Sequence, residues 1–84
     1  MNDHDYWVQA APFRALLVRL IDVTGLPWPE LADHGRLPPQ LVHRLLCGRD
    51  GRRVSRIPRE CARRILALDE RRLLRLARQL GVFA

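Results

Sequence analysis

Lysine is missing from this chain of 84 residues; all fifteen of its Lys and Arg positions are arginine. Serine occurs once, at Ser55, and cysteine twice, at Cys47 and Cys61. Aromatic residues make up 6% against 48% hydrophobic residues overall, so a core built from this chain is mostly leucine, isoleucine, valine and alanine. Each scarcity excludes something. Two cysteines are too few for a disulfide framework. No serine, cysteine or carboxylate pair stands beside a base at a spacing suited to nucleophilic or acid–base catalysis, and no glycine motif that cradles phosphate is present. The chain is therefore not expected to be an enzyme or to carry a cofactor. His43 and Cys47 stand four apart, with His34 upstream, yet there is no CxxC or HxxxH pair, so no metal site is expected. No apolar run reaches the length of a membrane span. The start, MNDHDYW, is acidic and polar rather than a secretory signal, which makes a cytoplasmic protein the expectation.

What the chain does have is charge, distributed unevenly. The net charge is +6. Residues 1–35 hold two arginines against five acids, a balance of −3, whereas residues 36–84 hold thirteen arginines against four acids, a balance of +9. A basic surface on one side suits a polyanion, and the planar fork of arginine suits phosphate and guanine.

Apolar periodicity along the chain is helical throughout, and no segment alternates for long enough to predict a strand. Residues 1–12 read as an N-terminal extension and 13–84 as the domain. Phe13, Leu16, Leu17, Leu20 and Ile21 form one helical face, opened by Pro12 and closed near Gly25. A short second helix spans about residues 28–34, and a third, about 38–47, turns Val42, Leu45 and Leu46 to one side. A basic loop follows at 48–57. The C-terminal helices cover 58–80, with Ile57, Cys61, Ile65 and Leu68 inward in the first, then Leu73, Leu76, Ala77 and Leu80 inward in the last. Asp69 caps that last helix and Gly81 stops it. The expected fold is all-α, a compact bundle of about five short helices.

Within it, ADHGRLPPQLVHRLLCG ends one helix and starts another after a few residues, the signature of a helix-turn-helix. Leu31, Leu37, Val42 and Leu45 must face the core and Ala32 must be small where the helices cross. The turn needs a residue that accepts a left-handed backbone. The outer face of the third helix is then free to enter a DNA major groove. The stretch GLPWPELADHGRLPPQLVHRLLCG resembles the helix-turn-helix of the Cro/C1-type, lambda-repressor-like DNA-binding family, often written G-L-S-Q-x-x-L-A-x-x-x-G-V-S-x-x-x-V-x-R-x-x-x-G. Gly25, Leu26, Leu31, Ala32, Leu37, Val42, Arg44 and Gly48 match. The later stretch RRVSRIPRECARRILAL is similar to the loop and fourth helix of small actinobacterial members, so the resemblance covers roughly residues 13–68.

Three departures from that pattern stand out. The turn glycine of the family falls at Arg36, whereas the glycine here is Gly35; either the turn re-forms around Gly35 or Arg36 takes the left-handed conformation. The capping serines are replaced by Pro27 and Pro38, a loss of about 1 kcal/mol per helix. The glutamine that often holds phosphate near the start of the second helix is Trp28.

The resemblance implies a small sequence-specific regulator of transcription that binds double-stranded DNA, with Gln40, His43 and Arg44 as base contacts. Leu41, beside them, projects outward if Val42 and Leu45 point in, where it could touch a thymine methyl group; the alternative is that it packs against a neighbouring element. The basic residues Arg36, Arg49, Arg52, Arg53 and Arg56 are the expected backbone contacts. Family members commonly pair on a palindrome, and Leu74, Val82 and Phe83 lie off the inward stripe, so a homodimer through these residues is expected. The alternative is a protein-interaction module with the same fold, docking a regulator, polymerase subunit or toxin through Trp7 or Trp28.

Overall fold

Residues 6–48 and 52–82 are described in a computed structural model of the chain. Five helices and one small antiparallel ribbon follow in the order β1 (Trp7–Gln9), α1 (Ala11–Thr24), α2 (Trp28–His34), α3 (Pro39–Cys47), β2 (Arg56–Pro58), α4 (Arg59–Leu66) and α5 (Glu70–Leu80). The molecule is thus mostly helical, and the expectation of an all-α fold is corrected by the ribbon. Its register pairs Trp7 with Pro58, Val8 with Ile57 and Gln9 with Arg56. Each strand has three residues, too short for an alternating pattern to show in the sequence. Residues 7–12, read above as an extension, pack with the rest. Ala10 is fully buried and its amide donates to the Ser55 carbonyl at 2.9 Å.

The core is almost entirely aliphatic, as the composition demands. Leu17 from α1, Leu26 before α2, Leu31 from α2, Val42 and Leu45 from α3, Ile57 from β2, Ile65 from α4 and Leu73 from α5 are all sealed from solvent. Leu80 departs from expectation: it is 51% exposed. The one buried polar residue among those described, Thr24, is satisfied locally. Its hydroxyl donates to the Leu20 carbonyl at 2.6 Å and accepts from the Leu26 amide at 3.2 Å, pinning the corner between α1 and α2.

Proline and the turn motifs replace polar caps in most of this chain. Pro27, Pro38 and Pro58 precede α2, α3 and α4 with extended backbones and no side-chain cap. Their fixed φ pre-sets the entry to the helix. Asp69 alone caps with its side chain, accepting from the Arg71 amide at 3.0 Å. At the end of α5, Gly81 turns left-handed while Gly81 N–H bonds Arg78 and Val82 N–H bonds Ala77. This is a Schellman closure.

The turn between α2 and α3 closes in the same way, but with an arginine in the left-handed position. Arg36 has φ 53°, its amide donates to the Asp33 carbonyl at 3.2 Å, and the Leu37 amide donates to the Ala32 carbonyl at 2.8 Å. Gly35, with an ordinary φ of −86°, serves a different need. A methyl there would stand 3.1 Å from Leu68 and 3.2 Å from Leu37, so Gly35 provides space while Arg36 provides the bend. Arg64 secures the bend by donating to the Arg36 carbonyl at 2.6 Å.

Gly48 ends α3 with φ 80° and ψ −172°, a region reserved for glycine. A methyl on it would lie 2.8 Å from the Arg52 carbonyl carbon, with the oxygen closer still. Gly48→Ala should therefore cost about 3 kcal/mol or more in urea unfolding. Arg36→Gly should leave stability unchanged or raise it by up to about 1 kcal/mol, since glycine removes the left-handed strain. Equal losses in the two variants would refute this assignment of strain.

Candidate nucleic-acid interface

The exposed face of α3 is set up by what its buried face must do. Val42 and Leu45, three apart, are fully buried, which rotates Gln40, His43 and Arg44 into solvent. Leu41 takes the second of its two expected positions. It is half-buried and packs on the core, closing the side of α3 that faces the ribbon.

Two depressions flank this face, and Gln40 and Arg44 line both, so they form the ridge between them. On one side the ridge descends to Trp28, the first residue of α2. Its ring centroid lies 5.6 Å from that of His43 with the planes inclined at 54°, so the two side chains meet in a tilted contact. Trp28 is itself half-buried against the core. On the other side the ridge descends to a depression of about 280 Å³ floored by Leu41, Val54 and Ile57 and bounded by Trp7, Arg56 and Pro58.

The expected backbone contacts separate. Arg56, on β2, shares a depression with Arg44. Arg53 lies over the outer side of α1, beside Arg19 and Asp22. Arg36 sits with His34, Arg64 and Arg72 where the end of α2 meets α4 and α5. Arg52 is exposed on the chain that crosses Gly48, and Arg49 lies outside the described residues. Of the expected dimer surface, Leu74 is half-buried, Val82 is exposed and Phe83 lies outside the described residues. The Val82 carbonyl stands 3.2 Å from where a Gly25 methyl would be, so the C-terminal turn runs back against the α1–α2 corner.

Arg14 is the residue that sequence reasoning missed. From the first turn of α1 its Nε donates to the Leu45 carbonyl at 2.6 Å, and its Nη2 donates to the Val54 carbonyl. One guanidinium thus ties α1 to the last turn of α3 and to the strand leading into β2. A cation at the end of a helix also suits its dipole. The signal was available: Arg14 falls between Leu17 and Val18 around α1, at the border of the apolar arc, where a cation needs carbonyl partners.

Neither cysteine belongs to the ridge. Cys47 is exposed at the end of α3, and Cys61 is buried in α4. Burial pushes the Cys61 thiol above its usual range, with Arg64 drawing it back and Glu60 adding to the rise. Among the described residues no group of His, Cys, Asp and Glu is placed to hold a metal. No helix is long and apolar enough to cross a membrane.

Arg14→Lys should lower unfolding stability by about 1.5–3 kcal/mol, because an ammonium cannot bridge two separated carbonyls. Amide exchange should quicken in the last turn of α3 and around Val54 and leave α5 unchanged. Uniform exchange throughout would show that Arg14 holds no particular segment. At about pH 8, an alkylating reagent should modify Cys47 and spare Cys61, whose raised thiol pKa keeps it protonated and whose burial blocks access. Modification of both at equal rates without unfolding would contradict that placement.

No protein-family model matches the chain, and comparison with curated proteins and with solved structures finds no similar protein.

Proposed function

We propose that the chain is a small DNA-binding regulator of transcription, a binding protein rather than an enzyme, and that α2, the Arg36 turn and α3 act as its helix-turn-helix. The observation that carries the reading is the ridge. Gln40 and Arg44, an adenine-type and a guanine-type reader, project together from the first turns of a helix whose other face is locked in the core. Arg56 stands beside them and carries positive charge to the flank of the helix. His43, in contact with Trp28, adds a polar edge on the other flank. Arg36 and Arg53 line other depressions and are more distant candidates for phosphate, while Arg52 is exposed with its backbone beside Gly48 at the end of α3.

A homodimer on a palindrome extends this reading, through Leu74 and the C-terminal Val82 and Phe83, since a single ridge reads only a few base pairs. Sedimentation checks it: a species that stays monomeric at high micromolar concentration, free and on DNA, removes the dimer.

Selection from random duplexes gives a preferred site, and substitutions then sort the roles. Gln40→Ala or Arg44→Ala should narrow the gap between preferred and random DNA by about 1–3 kcal/mol, with circular dichroism unchanged. Arg56→Ala should weaken every duplex alike and flatten the salt slope by about 1, and Arg53→Ala should do less. Absence of salt-dependent affinity for any duplex would reject DNA as the partner. The fold would then be read as a protein-docking module using Trp7 or Trp28.

A further inference from the structure

We infer that Trp7 and the β1–β2 ribbon form a second DNA-contacting element, seating one sugar–phosphate strand along the wall of the groove that α3 enters. The inference rests on the DNA reading of α3 given above and adds to it a residue outside the helix-turn-helix.

Trp7 is 48% exposed, although it is one of the largest apolar side chains in a chain with few aromatics. It is not on a loose end. Its backbone is paired with Pro58, and Val8 beside it is paired with the buried Ile57. The backbone of Trp7 is thus held in place, and its side chain lines the depression that Gln40 and Arg44 also border. Arg56, the partner of Gln9 in the ribbon, lines it as well. Among the described residues no carboxylate pairs with Arg44 or Arg56, whereas Arg19, Arg64 and Arg72 each have one. Two unneutralised guanidinium groups beside an exposed indole and an apolar floor match a ligand that alternates anionic and apolar parts. A nucleic-acid strand is such a ligand, with a phosphate for Arg56, beside the base-reading Arg44, and deoxyribose for Trp7 and Leu41.

The geometry selects which part of the DNA is met. With α3 lying in the major groove, whatever flanks the helix faces the wall of that groove, which is backbone. Trp7 then adds affinity without reading sequence. An acidic peptide offers charge but lacks the apolar sugar between its anions, so the duplex strand is the better match to this depression.

The experiment compares wild type with Trp7→Phe and Trp7→Ala on the selected duplex and on a generic duplex of mixed sequence. Tryptophan emission should be quenched when wild type binds either duplex, and the quench should fall sharply in Trp7→Phe, where Trp28 is the only tryptophan left. Trp7→Ala should bind both duplexes about tenfold more weakly, and Trp7→Phe should recover most of that loss. The emission reading uses the intact chain, so it stands even where Trp7→Ala folds poorly. Wild type that binds with a steep salt dependence, yet shows the same quench as Trp7→Phe, overturns the inference while sparing the DNA reading. The depression then belongs to a protein partner. A loss confined to the selected duplex overturns it too, because Trp7 would then touch bases. Failure of wild type to bind any duplex removes the DNA reading itself, and the inference with it.

Discussion

The placement of α3 depends on one side chain more than on any other. Arg14 reaches from α1 to the carbonyls of Leu45, in α3, and Val54, most of the way along the basic loop. Apolar packing can hold α3 against the core, since Val42 and Leu45 are both sealed within it. It is non-directional, however, and does not by itself fix where the loop returns. The guanidinium supplies that direction. By holding Val54 beside the end of α3, it brings the following residues back alongside the helix, where Ile57 enters the core and Pro58 pairs with Trp7. The proposed wall contact therefore depends on an arginine that itself faces away from the ridge. Gly48 is the complementary constraint, letting the backbone pass close enough to Arg52 for the loop to be short.

The Arg36 turn shows how a motif survives the loss of its usual residue. A left-handed arginine costs roughly 1–2 kcal/mol against glycine. Several contacts offset it: the two closing amide bonds, the Arg64 donor on the Arg36 carbonyl, and the burial of Leu37 immediately after. Moving the glycine one place earlier is not a substitute for the bend. Gly35 lies under Leu68, and its missing Cβ lets α2 end close to the segment between α4 and α5. Whether Gly35 or Arg36 takes the bend was open from the sequence because both solutions satisfy the local chain. In the folded chain Arg36 takes it, while Gly35 is hemmed in by Leu37 and by Leu68, thirty-three residues away.

Legibility followed the range of the interactions concerned. Helices whose signals are local were readable: Gly25 and Gly81 as left-handed stops, Asp69 as a cap, and the buried Leu17, Leu31, Val42, Leu45, Ile65 and Leu73 from their spacing. The outward position of Gln40, His43 and Arg44 followed from the same periodicity. Features that require distant partners were not readable. The ribbon joins residues about fifty apart through three-residue strands, and each strand alone looks like loop. Leu41 has the spacing of an exposed residue, yet the ribbon brings Val54 and Ile57 to the depression beside it and leaves it half-buried. The basic loop reads as one cluster in sequence, but Arg53 and Arg56 end on different sides, because β2 turns one of them toward α3.

The two tryptophans bring these threads together at the ridge. A core assembled from leucine, isoleucine and valine has no need of an indole, and neither Trp7 nor Trp28 is fully buried. They lie on opposite flanks of the same helix face, Trp28 through its contact with His43 and Trp7 across the depression bounded by Arg44. In the family that the sequence resembles, the position of Trp28 often carries a phosphate-binding glutamine, and an indole has no such polar end to offer. Trp28 instead sets its ring against that of His43, a side chain that points to solvent. On the other flank, Trp7 is placed by backbone pairing rather than by a ring contact. Both arrangements have the same result: an α3 face bordered by partly exposed aromatic groups, with Gln40 and Arg44 between them. Aromatic borders with polar groups at the centre suit a surface whose affinity is to come from its flanks and discrimination from its ridge.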